Sequence, residues 1–288
     1  MTSALSNCRL GVLAFGDSIT NGGGELQWGV ALQSWALWVA RGLALPFTCY
    51  AVDGAGVQDV VEHQIPAFSR LTAGGPQAAY QLGCLYIGVN DVRSPDWDAA
   101  QFEAGFRTAL QFLCGRCERV LTLTAPLDLG RPRAGRKVED LDDLVSGVAS
   151  ELGTLLLDLR SWGARNLVMA DHVHPTAFGQ IDIAERALAV LERAGMRMEV
   201  RPSSLIVYSP SRAERLRSDV TYVYRHVKVS ARSGWIRTSL ALRDARSDRR
   251  RGDADAGDAD GGASRTPVTR TAPRTGPTGR RGVARSGT

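Results

Sequence analysis

Histidine and cysteine are scarce in this 288-residue chain, which has four of the first and five of the second. An odd number of cysteines cannot close into a complete disulfide framework, and it points to a reducing compartment. Cys8, Cys49 and Cys84 fall in or beside apolar runs, where a thiol serves as a small buried hydrophobe. Cys114-Gly115-Arg116-Cys117 has the spacing of a redox pair, but it closes a helical pattern, whereas a reactive thiolate needs a helix start. There is no H-E-x-x-H helix and no Cys/His quartet, so no metal site is expected and nothing calls for a cofactor. No apolar run reaches the roughly 18 residues of a membrane span. No secretory signal precedes Leu10 either, so the expectation is a cytoplasmic chain without a transmembrane segment.

An excess of positive charge is also missing from most of the chain. Residues 1–200 hold 16 Lys and Arg against 22 Asp and Glu, whereas residues 201–288 hold 19 against 8. The basic pI near 9.2 therefore belongs to the C-terminal third. From 245 to 288 there is no aromatic residue and no Leu, Ile, Met or Phe, a composition that cannot bury enough surface to order itself. The expected organisation is a catalytic domain over 1–200, a basic and partly helical extension over 201–244, and a disordered tail over 245–288. In the extension Leu205-Ile206-Val207-Tyr208 reads as a strand. Ser211-Arg212-Ala213-Glu214 reads as a capping box that opens a helix to about Val229. Leu216, Val220, Val223 and Val227 follow helical spacing, and the favoured reading packs them on the domain; the second reading is a weak contact with an anionic surface. In the 245–288 tail, arginines without interleaved aromatics do not support specific nucleic-acid binding.

Within 1–200 strand and helix patterns alternate. Apolar runs at Leu10–Gly16, Phe47–Val52, Cys84–Ile87, Arg119–Thr124 and Leu155–Leu157 read as strands. Val30–Leu43, Asp59–Leu71 (interrupted at Pro66), Trp97–Leu113, Val138–Leu152 and Phe178–Leu191 read as helices. Such alternation predicts an α/β fold, a three-layer α/β/α sandwich around a mainly parallel sheet.

The first strand runs into Gly16-Asp17-Ser18-Ile19-Thr20, which sets Ser18 at the carboxyl end of a strand, where open α/β sheets hold their ligands. The familiar G-x-S-x-G elbow is absent, because Thr20 stands where its second glycine belongs. A serine nucleophile needs a base, an orienting group and donors for an oxyanion. Two of the four histidines lie in Asp171-His172-Val173-His174-Pro175-Thr176, where Asp171 is three residues from His174 and close enough on a tight loop to orient its ring. Asp171, His172 and His174 within four residues do not match a zinc spacing. The second strand ends in Asp53-Gly54-Ala55-Gly56, offering the Gly54 N–H, and the third in Gly88-Val89-Asn90-Asp91, offering an uncharged amide at Asn90. Taken singly, each is equally a turn residue. Trp28 is read as core, and Gly130–Lys137 as a solvated cationic loop.

In this order the four segments resemble the GDSL, or SGNH, hydrolase family over about residues 8 to 195. The resemblance implies a flavodoxin-like sheet and a serine ester hydrolase working through an acyl-enzyme on Ser18. It assigns Ser18, His174 and Asp171 as triad, and Ser18, Gly54 and Asn90 as oxyanion hole. A small-molecule, lipid or carbohydrate ester is then the expected partner. Asp53 departs from relatives that often carry an uncharged residue before the glycine, and it is expected to face solvent. The same site chemistry serves acyl transfer to an alcohol or amine, or thioester cleavage, and the competing reading is a non-catalytic protein binding anionic partners through its basic C-terminus.

Overall fold

In the computed structural model the described residues are 10–25, 30, 32–72, 79–129, 134–164, 166–207, 211–217, 219–228 and 231. Strands β1 (Val12–Gly16) and β3 (Tyr80–Tyr86) are buried along their whole length. Apolar runs without alternation are what a parallel sheet with both faces covered requires. With β2 (Phe47–Cys49), β4 (Cys117–Leu123) and β5 (Leu155–Leu157) they form a five-stranded, all-parallel sheet in the order β2-β1-β3-β4-β5. Helices α2 (Trp35–Gly42) and α8 (Ala177–Arg193) pack on one another and reach β1 and β5. The other face carries α6 (Ala99–Cys114), α7 (Lys137–Glu151) and the helical stretch from Val57 to Thr72. The expected three-layer α/β/α architecture is therefore present.

The order of the strands places the chemistry. The chain leaves β1 in one direction to reach β2 and in the other to reach β3, so a crevice opens beyond the carboxyl ends of β1 and β3. The segments after these two strands, with the loop after β2, carry Ser18, Asn90 and Gly54 to one edge.

Several elements differ from expectation for local reasons. Helix α2 starts at Trp35 instead of Val30, because Ser34 caps it with Oγ accepting from Leu37 N at 3.2 Å. Pro66 does not interrupt its helix. The chain runs through α3 (Val57–Asp59), a π-helical turn (Val60–Gln64) and α4 (Ile65–Thr72) without a break. A proline has no N–H to give and crowds the carbonyl four residues back; the wider turn just before Pro66, closed by Ile65 N donating to Val60 O, takes up that misfit. The strand expected at Leu205–Tyr208 is not formed at Leu205. Pro202–Leu205 instead makes a 3-10 turn, with proline at its start and Ser203 N donating to Glu185 Oε1 at 2.9 Å; Tyr208 lies outside the described residues.

Beyond the 3-10 turn, residues 212–217 and 219–228 are helical. The capping box forms as expected: Ser211 N donates to Glu214 Oε2 at 2.8 Å, and Ser211 Oγ accepts from Glu214 N at 3.3 Å. The apolar stripe, however, does not pack on the domain, since Leu216, Val220, Val223 and Val227 are all exposed. Polar side chains make the attachment instead. Cys8, Trp28, residues 130–133 of the cationic loop, Val229 and the 245–288 tail lie outside the described residues. Among the described residues no helix is long and apolar enough to cross a membrane.

Candidate active site

β1 ends at Gly16, whose φ of +151° only glycine adopts at ease, and a Cβ there would stand 2.4 Å from Tyr86 O. That close approach lets β1 turn sharply. Asp17 is extended and caps the four-residue helix α1 (Ser18–Asn21), its Oδ1 accepting from Ile19 N at 2.9 Å. The turn leaves Ser18 half-buried at the sheet edge.

Ser18 Oγ lies 2.9 Å from His174 Nε2, and His174 Nδ1 lies 2.8 Å from Asp171 Oδ2. The Asp171 carboxylate can only accept from a protonated Nδ1, which leaves Nε2 as the acceptor for the serine hydroxyl. The loop after β5 is folded to hold this chain of bonds. Asp171 Oδ1 accepts from Val173 N at 2.9 Å and His174 N at 3.1 Å, while Met169 N donates to His174 O at 2.8 Å. Thr176 then caps α8, its Oγ1 accepting from Gly179 N at 3.1 Å.

The electrostatics follow the geometry. Burial pushes the Asp171 carboxyl up, but the bonds from the His174 ring and from two backbone N–H groups outweigh it and hold Asp171 below its ordinary 3.8. His174 is raised above its ordinary 6.5, first by the bond to Asp171, against burial and the Arg93 guanidinium, which pull it down. Asp17 is fully buried, and burial pushes its carboxyl up to about 7 against the Ile19 N–H.

Gly54 and Asn90 come to the same edge. Ala55 N donates to Val52 O at 3.2 Å, closing a turn in which Gly54 has φ +79°; a Cβ there would meet nothing within 4 Å. A cavity of about 280 Å³ opens beside it, lined by Val52, Asp53, Asp59 and His63 among others. Asp53 is exposed and accepts from Asn21 Nδ2 at 2.9 Å. Asn90 sits on the short helix α5 (Val89–Arg93) directly after β3. Its Nδ2 donates to Ala55 O at 2.9 Å, and Asp91 Oδ1 accepts from Val57 N at 3.0 Å, so the β3 end clasps the loop that holds Gly54. One Asn90 N–H remains for a further acceptor.

His172 belongs to a different neighbourhood. It adopts φ +58°, and its ring faces Asp128 Oδ2 and His226 Nδ1, each at 3.4 Å. It thus turns away from the partners of His174. Among the described residues no group of three His, Cys, Asp or Glu is arranged to hold a metal ion. The redox-spaced cysteines are free thiols, and burial pushes Cys117 up to about 12.

Two residues escaped the sequence reading. Gln64, delivered by the π turn, accepts from Gly16 N at 3.0 Å and donates to Gly16 O at 2.8 Å. Gln180 in α8 accepts from Trp35 N at 2.7 Å and donates to Ile19 O at 3.0 Å and Gly23 O at 3.2 Å. Both are buried, and together they hold the strand end before Ser18 and the helix after it. The signal was a polar residue in the apolar phase: Gln64 follows Val57 and Val60 and precedes Phe68, and Gln180 precedes Ala184, Ala187 and Leu191, all buried.

The sequence matches the family model described as GDSL-like Lipase/Acylhydrolase family over residues 14–180. Among solved structures, a member of the lipolytic protein G-D-S-L family from Veillonella parvula is 22% identical, with a TM-score of 0.51, covering 64% of this chain and 98% of that one. The acetylxylan esterase Axe2 from Geobacillus stearothermophilus is 20% identical with a TM-score of 0.49, covering 63% of this chain and 93% of that one. No curated protein matches the sequence.

Proposed function

The chain belongs to the GDSL-like lipase/acylhydrolase family, which makes it a carboxylic ester hydrolase, and from that premise we propose that Ser18 is its nucleophile, His174 its general base and Asp171 the group that orients the base. The observation that carries this reading is the unbroken chain of bonds, 2.9 Å from Ser18 Oγ to His174 Nε2 and 2.8 Å from His174 Nδ1 to Asp171 Oδ2.

In the first half-reaction Ser18 Oγ forms a bond to the ester carbonyl carbon while its proton passes to His174 Nε2. Negative charge gathers on the carbonyl oxygen, where the N–H groups of Ser18 and Gly54 and the remaining Asn90 amide N–H donate to it. The carbon–oxygen bond to the alcohol then breaks, and the alcohol leaves with the proton from His174. In the second half-reaction water attacks the acyl-enzyme, gives a proton to His174, and releases the carboxylic acid as Ser18 recovers its proton. Asp171 stabilises the imidazolium that forms in each half.

The test is a panel of acetyl, butyryl, octanoyl and palmitoyl esters, acetylated sugars and acyl-thioesters, run with wild type and Ser18→Ala. Hydrolysis should fall by at least about 10⁴-fold in the variant, and fluorophosphonate labelling should disappear. Turnover of any ester at the wild-type rate by Ser18→Ala would remove Ser18 from the reaction.

A further inference from the structure

The C-terminal helix presents two unlike sides. On the inner side Tyr222 lines a cavity of about 450 Å³ beside the triad loop, together with Trp162, Met169, His172 and Val173. Tyr222 stacks on His226 at 5.9 Å between ring centroids, His226 meets His172, and Arg225 pairs with Glu25, the residue bridged to Thr176. The helix is therefore anchored to the loops on both sides of the catalytic edge.

On the outer side nothing covers the apolar stripe among the described residues. Leu216 is 66% exposed, Val220 61%, Val223 51% and Val227 60%. At about 100° per residue these four fall within a band roughly 60° wide, opposite Arg225 and turned away from Tyr222 and His226. Tyr224, Arg217 and Lys228 follow the band on one side, and Arg212 with Asp219 borders it on the other; over residues 211–228 the sequence has five Arg and Lys against Glu214 and Asp219.

We propose that this outer face docks the protein on an anionic lipid surface. Aliphatic side chains enter the boundary between headgroups and acyl chains, while bordering Arg and Lys meet the lipid phosphates. The two elements have to coexist on one face, and here they do. A nucleic acid would use the cations but has no place for a valine stripe. A second copy packed antiparallel would bury the stripe but set the Arg217 and Lys228 border against its own copy. The inference is independent of the assignment of Ser18 and adds a location to the established class of reaction.

Co-sedimentation of the full chain with phosphatidylcholine vesicles, with and without phosphatidylglycerol, tests it. Wild type should bind the anionic vesicles and leave the neutral ones. Val220→Ser/Val223→Ser should weaken that binding by at least about tenfold through lost apolar burial, and Arg217→Gln/Lys228→Gln by a similar factor through lost charge. Both variants should retain the wild-type circular dichroism spectrum and turnover of a water-soluble acetyl ester. Undiminished binding by the valine variant would assign the attraction to basic residues elsewhere in the chain and overturn the proposal. So would equal binding to neutral vesicles, or a concentration-dependent dimer that the valine variant dissolves.

Discussion

The two histidines of the loop after β5 divide the proposed catalytic edge into an inner and an outer half. His174, on the inner side, makes bonds of 2.8 and 2.9 Å to Asp171 and Ser18, and the element carrying Ser18 is itself held by buried Gln64 and Gln180. His172, two residues away, meets Asp128 and His226 only at 3.4 Å, and the helix it touches keeps its apolar stripe in solvent. The inner half rests on a frame of buried glutamine hydrogen bonds beneath its short histidine bonds, and the outer half is held by the 3.4 Å histidine contacts and the exposed Arg225–Glu25 pair. Bonds of the first kind are expensive to break because a buried partner is left without water; bonds of the second kind are replaced by water at little cost.

The comparison is tested most severely at Asp171. Asp171→Asn should lower turnover by about 10⁴-fold, because an amide no longer holds the ring in the tautomer that presents Nε2 to Ser18. The pH profile carries a separate signature. In the proposed mechanism His174 must be neutral at Nε2 to take a proton, and its pKa is raised above 6.5. Wild-type kcat/KM should therefore fall as pH drops through a value above 6.5, and the residual activity of Asp171→Asn should persist to lower pH. An ascending limb at the same pH in both proteins would show that the pair does not tune the base.

Gln180→Leu is the next largest effect. It leaves Trp35 N, Ile19 O and Gly23 O without their buried partner, at a cost of about 3 kcal/mol in urea unfolding. It also releases the helix that starts at Ser18, so kcat should fall roughly 10- to 100-fold while KM changes little. A loss of stability with kcat intact would make Gln180 structural alone, and the inner half would then be less tightly coupled to the chemistry than its bonds suggest.

These glutamines mark where the sequence stopped being legible. The five strands and the segments bearing Ser18, Gly54, Asn90, Asp171 and His174 could be read because each sits where an apolar run meets turn residues. Strand alternation with helices was enough to bring their ends to one edge. Gln64 and Gln180 lie in the apolar phase of their helices, but spacing shows only that such a position is buried, not which backbone groups a buried amide will bond. The helix after Ser211 was legible from its capping box, but its orientation was not. Amphipathic spacing tells which residues share a face; it does not tell whether that face meets the domain or the solvent, and here Tyr222, Arg225 and His226 decided the matter through polar contacts.

The smallest effect belongs to the outer half. His172 holds a left-handed backbone that costs a residue with a Cβ about 1 kcal/mol, and glycine removes that cost. The same substitution removes the 3.4 Å contacts to Asp128 and His226, whose length and partial exposure limit them to a similar sum. The two terms oppose each other, so His172→Gly should change stability by less than about 1 kcal/mol, and turnover of a soluble ester by less than about threefold. The backbone around it would stay in register, because Asp171 Oδ1 still accepts from Val173 N and His174 N, and Met169 N still donates to His174 O. Loss of activity on the scale of Asp171→Asn would mean that the outer contacts set the triad after all, and the division of this edge into a locked half and a loose half would fall.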